Sequence, residues 1–143
     1  MGNLYNIDIV AWAAQQTALL RQGEWSALDI ANLAEEIEDV GKSEQRELAS
    51  RSAALLCHLL KWQFQPELRS KSWSATIAIQ RRAITRKLKK TPSLKHQLSD
   101  AEWLEGTWDD ALELAIDETG LSEFPNHPIW SPGDILDPHF FPD

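Results

Sequence analysis

Apolar residues recur along this chain at intervals of three and four, and no stretch of useful length alternates apolar with polar. The first period places side chains on one face of an α-helix, whereas a half-buried strand repeats every second residue. Four main helices follow from the spacing. The first, about 6–22, lines up Tyr5, Ile9, Trp12, Gln16 and Leu20 and stops at Gly23. The second runs from about 27 to 64, with Ser26 or Asp29 as its cap and Pro66 beyond its end. At about 1.5 Å per residue it exceeds roughly 50 Å, so either Gly41 kinks it or different partners cover its two halves. A third helix, about 70–90, is closed by Pro92 and is basic in its last turns, where the negative end of the helix dipole favours cations. The fourth, about 100–119, opens on Asp100 and Glu102, shows Leu104, Trp108, Leu112 and Ala115 on one face, and stops at Gly120.

The remaining segment, LSEFPNHPIWSPGDILDPHFFPD, holds five of the seven prolines and cannot form a long helix. Ser131 can cap one short turn at Pro132. Phe124, Ile129, Trp130, Ile135, Leu136, Phe140 and Phe141 make this segment too apolar for a disordered tail, so it is expected to lie on the bundle as a strap. The expected fold is all-α: an up-and-down bundle of four main helices, with a long second helix and an apolar, Pro-rich strap, forming a single helical domain over 1–143.

Turning the second helix by about 100° per residue brings Ile30, Leu33, Ile37, Val40, Leu48, Leu55, Leu59 and Trp62 within about 60° of Ile37, the stripe expected to be buried. Glu35, Glu36, Glu38 and Asp39 lie on the wet side or its margins, with Glu38 and Lys42 placed for an i,i+4 pair. Glu44, Arg51 and His58, by contrast, fall inside the stripe. Buried charge is costly without partners, so this column predicts a polar network. Glu47, one turn before Arg51, and Gln80 and Arg81, which interrupt the stripe Trp73, Ile77, Ile84 and Leu88 of the third helix, are the expected partners. Among the seven tryptophans, Trp12, Trp73 and Trp108 are expected in the core. Trp25, Trp103 and Trp130 suit either packing under the strap or a partner surface.

Length and composition narrow the class. A chain of 143 residues, 43% hydrophobic and 25% charged, has ordinary globular proportions and is long enough for a core. It offers no apolar run long enough for a transmembrane helix, and its start shows no secretory pattern. Asn6 also spoils a myristoylation reading of Gly2. Cys57 stands alone, which fits a reducing cytoplasm and excludes an internal disulfide or a cysteine-based zinc cluster.

The net charge of −8 is unevenly spread: nine of the fourteen basic residues lie between Arg69 and Lys95, while 24–47 and 100–118 each carry eight carboxylates. A basic helix packed between acidic ones explains this. An anion or nucleic-acid patch at Arg82, Arg86, Lys87, Lys89 and Lys90 would lack the aromatic interleaving that such surfaces use.

The strings LAEEIEDVG at 33–41, HLLKWQFQPELRSKSW at 58–73 and TIAIQRRAI at 76–84 resemble, in this order, the bacterial family called domain of unknown function 29. The resemblance spans nearly the whole chain and implies an α-helical fold and a bacterial, cyanobacterial-type cytoplasmic setting. It carries over no catalytic residue and no cofactor.

Motif chemistry adds little. Gly41-Lys42-Ser43 echoes a phosphate-binding loop, but Glu36 stands where the loop needs glycine, and the preceding segment is an amphipathic helix rather than a strand. A di-iron bundle needs Glu-x-x-His pairs, whereas Leu55, Ser93, Phe124 and Leu136 stand three before the four histidines. His58, His96, His127 and His139 would have to meet from scattered segments to hold a metal, and none is expected. Cys57 and His58 project about 100° apart on a helix and cannot easily share a proton. The leading expectation is a non-enzymatic helical interaction or regulatory module of unknown partner and oligomeric state. A small-ligand or metal-dependent enzyme with a polar pocket between the second and third helices comes next, and a weak nucleic-acid binder using the basic third helix follows.

Overall fold

The computed structural model describes residues 4–143, and Gly2 lies outside them. Among the described residues there is no strand, and the fold is the all-α helical bundle that the spacing predicts. Helices α1 (Leu4–Ile7), α2 (Ile9–Gln22), α3 (Ile30–Phe64), α4 (Lys71–Lys90), α5 (Ala101–Thr119) and α6 (Pro132–Leu136) follow in chain order. The expected first helix is broken into α1 and α2 because Asp8 turns extended and its carboxylate caps the Ala11 N–H. Gly23 and Gly120 end α2 and α5 in the left-handed conformation, both at φ 73°, as expected of helix-stop glycines. Ser70, Asp100 and Ser131 cap α4, α5 and α6 with their side chains. A run of 3₁₀ turns over Pro92–Ser99 occupies the link before α5, which the spacing did not indicate.

Helix α3 passes through Gly41 without interruption. The chain divides into two compact units, Met1–Glu44 and Gln45–Asp143, so the two parts of α3 belong to different packing environments.

In the first unit the pair α1–α2 is tied to the start of α3 mainly by polar groups. Trp12 and Gln16 are buried. The Trp12 indole donates to Asp29 Oδ2 at 2.9 Å, the Asp29 backbone N–H donates to Gln16 Oε1 at 2.8 Å, and the Tyr5 hydroxyl donates to Glu36 Oε1 at 2.6 Å. Ile9 and Leu20, expected on the buried face of the first helix, are exposed instead.

In the second unit α3 is covered on two faces. Leu48, Leu55 and Leu59 pack with Ile77, Ile84 and Leu88 of α4 and with Leu94. A different stripe, Ala53, Leu56, Cys57 and Leu60, packs with Trp108, Ala111 and Ala115 of α5 and with Phe124. Cys57, outside the stripe centred on Ile37, is therefore buried, because the long helix is sandwiched here. The strap closes both layers. Trp130 meets Trp108 edge-on at 5.4 Å, and Ile135 packs against both clusters.

Candidate functional site

Arg51, half-buried on α3, donates through Nε to Glu47 at 3.3 Å and through Nη1 to Gln80 of α4 at 3.4 Å. Lys87 reaches the other oxygen of Glu47 at 2.6 Å. This lysine, expected on an outward anion patch, is turned toward α3, where its hydrogen bond and then that of Arg51 hold the Glu47 carboxyl below its usual range. Glu44 is half-buried at the end of the first unit. His58 is half-buried and donates through Nδ1 to the Ala54 carbonyl at 3.0 Å, one turn back on its own helix.

Arg81 departs most from expectation. Instead of joining Arg51, it lies 3% exposed under the strap, donating through Nε to the Ile135 carbonyl at 2.8 Å and through Nη2 to the Phe140 carbonyl at 2.6 Å. Burial lowers its affinity for the proton and Asp137 partly restores it. A strap with few regular hydrogen bonds must satisfy its carbonyls elsewhere, and a forked cation serves two of them at once. Arg82, Arg86, Lys89 and Lys90 remain exposed on α4. The first three border an open groove with Arg81, Thr85, Leu136 and Pro138.

Sequence reasoning missed a second charged group. Lys61, on the α5-facing side of α3, pairs with Glu118 Oε1 at 2.9 Å and sits 4.9 Å from the Trp73 ring centre. The Cys57 thiol donates to the other Glu118 oxygen at 3.7 Å. Burial first, then the Glu118 charge, pushes the thiol up to about 12, so it is no nucleophile near neutral pH. The spacing of Ala53, Leu56, Cys57 and Leu60 was the signal that could have revealed this second face.

Lys61 holds the Glu118 carboxyl below its ordinary value of 4.5. Its pairing therefore stabilises the fold above the unfolded-state pKa and is lost as the pH falls through the lower folded value. Denaturant unfolding of the wild type and Glu118→Gln should differ near neutrality and converge in acid. A difference constant across that range would remove the charge of Glu118 from the account.

Between the layers of the second unit lies a cavity of about 40 Å³, lined by Leu56, Ile84, Trp103, Trp108, Trp130 and Ile135 among others. It is apolar and of water size, a packing gap. No three His, Cys, Asp or Glu side chains converge as a metal group among the described residues, and none of their buried polar side-chain atoms lacks a partner.

The largest departure in the first unit is apolar. Ile30, Ile37 and Val40, expected inside the buried stripe, are 68%, 72% and 67% exposed. The polar ties of α1–α2 engage Asp29 and Glu36, which project roughly 100° from the centre of the stripe, so the stripe itself stays open. Ala34 and Gly41 share its exposure, and a Cβ built on Gly41 would meet nothing within 4 Å. Ile7, Val10 and Trp25 of the same unit are exposed as well.

The family model described as "Domain of unknown function DUF29" matches residues 4–141. The chain belongs to the DUF29 family. Comparison with curated proteins and with solved structures gave no match. Membership thus covers both units of this DUF29 chain, with the apolar stripe of α3 and the Arg81 strap clamp within the matched span. No helix of the described residues is long and apolar enough to cross a membrane.

Proposed function

We propose that this DUF29 chain is a non-enzymatic helical interaction module of the bacterial cytoplasm, which binds another helix through the open apolar stripe of its first unit. The observation that carries this reading is the exposure of Ile30, Ile37 and Val40 on one helix edge. Isolated exposed apolar residues are ordinary, but a contiguous row at helical spacing matches the way an amphipathic helix receives a partner. The polar groups considered for a pocket or an anion patch support the same reading where their hydrogen bonds are spent inside the fold: Arg81 on strap carbonyls, Arg51 on Glu47 and Gln80, and Lys87 on Glu47.

A benzophenone amino acid at position 40, irradiated in cells, should yield a polypeptide adduct whose peptide map shows an apolar helical segment. The same group at position 90, on the exposed basic end of α4, should yield none. Absence of an adduct from position 40 would overturn the proposal.

A further inference from the structure

We infer that the occupant of this stripe is a second copy of the same chain, with the two α3 helices antiparallel about a two-fold axis between Ala34 and Ile37. The inference rests on the interaction-surface reading above and adds the identity and direction of the partner.

It follows from the order of sizes along the edge. Ile30, Ala34, Ile37 and Gly41 fall within a band of about 60° and alternate large, small, large, small. Their separations of four, three and four residues read the same in both directions. When the stripe is laid against its own reverse, Ile30 meets the second copy's Gly41 and Ile37 meets its Ala34. Both large side chains on each chain thus face a small residue. Parallel pairing would instead set isoleucine on isoleucine and glycine on alanine or glycine, leaving clashes beside voids. A two-fold interface uses one patch twice, so a stripe complementary to its own reverse is the pattern it requires. The open space at Gly41 is the hole that such a knob would fill.

The flanks agree. Antiparallel pairing brings like edges together, which places Val40 beside the second copy's Leu33 and extends the apolar contact. On the other edge the Glu38–Lys42 ion pair, 2.6 Å apart, lies beside the second copy's Ala31, so no like charges are forced together there. Long-range charge opposes the pairing, because Met1–Glu44 carries eight carboxylates against Arg21 and Lys42. Salt screens that repulsion. Association should therefore tighten as salt rises, whereas a basic partner helix would be released.

Sedimentation equilibrium of the full chain over a concentration series, at low and high salt, tests this. A monomer–dimer equilibrium favoured by salt is expected. Gly41→Leu fills the hole in space that is open in the single chain and raises helix propensity, so it should fold as well as wild type while weakening the dimer by about tenfold or more. Ile37→Glu should do the same. A monomer at every concentration, or a dimer unaffected by Gly41→Leu, would overturn the inference. A benzophenone at position 30 then reads direction. Adducts to the second copy near Gly41 support the antiparallel arrangement, and adducts near its Ile30 overturn it. An adduct from position 40 to a different protein would leave the interaction-module proposal standing and defeat the dimer, while no adduct would defeat both.

Discussion

Trp108→Ala is expected to destabilise the second unit by about 4 kcal/mol, the largest single-residue effect in the molecule. The indole is fully buried at the meeting of α3, α5 and the strap. Its ring packs edge-on against Trp130, and its Nε1 donates to the Pro125 carbonyl at 2.8 Å. Alanine leaves a cavity continuous with the existing gap and strips the half-buried Pro125 carbonyl of its donor, and the two penalties add. Trp108→Phe keeps most of the volume and loses only the donor, so its cost should be clearly smaller. The check is the denaturant midpoint of each variant. A Trp108→Ala midpoint within about 1 kcal/mol of wild type would mean that the strap and α5 do not form one cooperative layer.

Arg81→Met is expected to cost about 3 kcal/mol, because two charge-assisted hydrogen bonds are lost and the carbonyls of Ile135 and Phe140 are left without a donor. Methionine approximates the aliphatic part of the side chain, so the loss reports mainly the guanidinium. Its effect should be local to the strap, which Arg69 also grips through Pro142 at 3.3 Å. Limited proteolysis should accordingly cut the Arg81→Met chain within the segment after Gly120 at protease levels that spare wild type. Arg82→Met, one residue away but exposed, should change stability by less than about 0.5 kcal/mol. Equal losses for the two variants would contradict the clamp.

Most helix boundaries were legible because they depend on local chemistry, although the break at Asp8 was not. Gly23 and Gly120 stop helices by adopting a conformation other residues resist, and Ser70, Asp100 and Ser131 cap through their own side chains. The i,i+4 pair Glu38–Lys42 and the Glu47–Arg51 contact were readable for the same reason, since both partners lie on one helix. Most of the buried stripe of α4 was also legible: Ile77, Ile84 and Leu88 interlock with Leu48, Leu55 and Leu59, whereas Trp73, expected in the core, is only half-buried.

The candidate site was read less well, and each miss is a question of which neighbour arrives. One rotation about α3 assigned one buried face along its whole length. The actual helix has no cover on that face at Ile30, Ile37 and Val40, and has two covered faces around Leu56 and Leu59. Arg81 was recognised as a charge out of place, but its partners are backbone carbonyls more than fifty residues away, and side-chain identity does not encode those. Lys61 and Glu118 were overlooked because each, on its own helix, looks like an ordinary surface charge.

By itself, then, the sequence determined the all-α class, most of the helix ends, the apolar strap and membership of a family of unknown function, since periodicity, caps and motifs act over a few residues. Only the tertiary structure decided which apolar stripe is buried and which stays open, and whether a charge is spent on a strap carbonyl or a neighbouring helix. Burial is a property of a pair of surfaces, and one helix sequence specifies only one of the two.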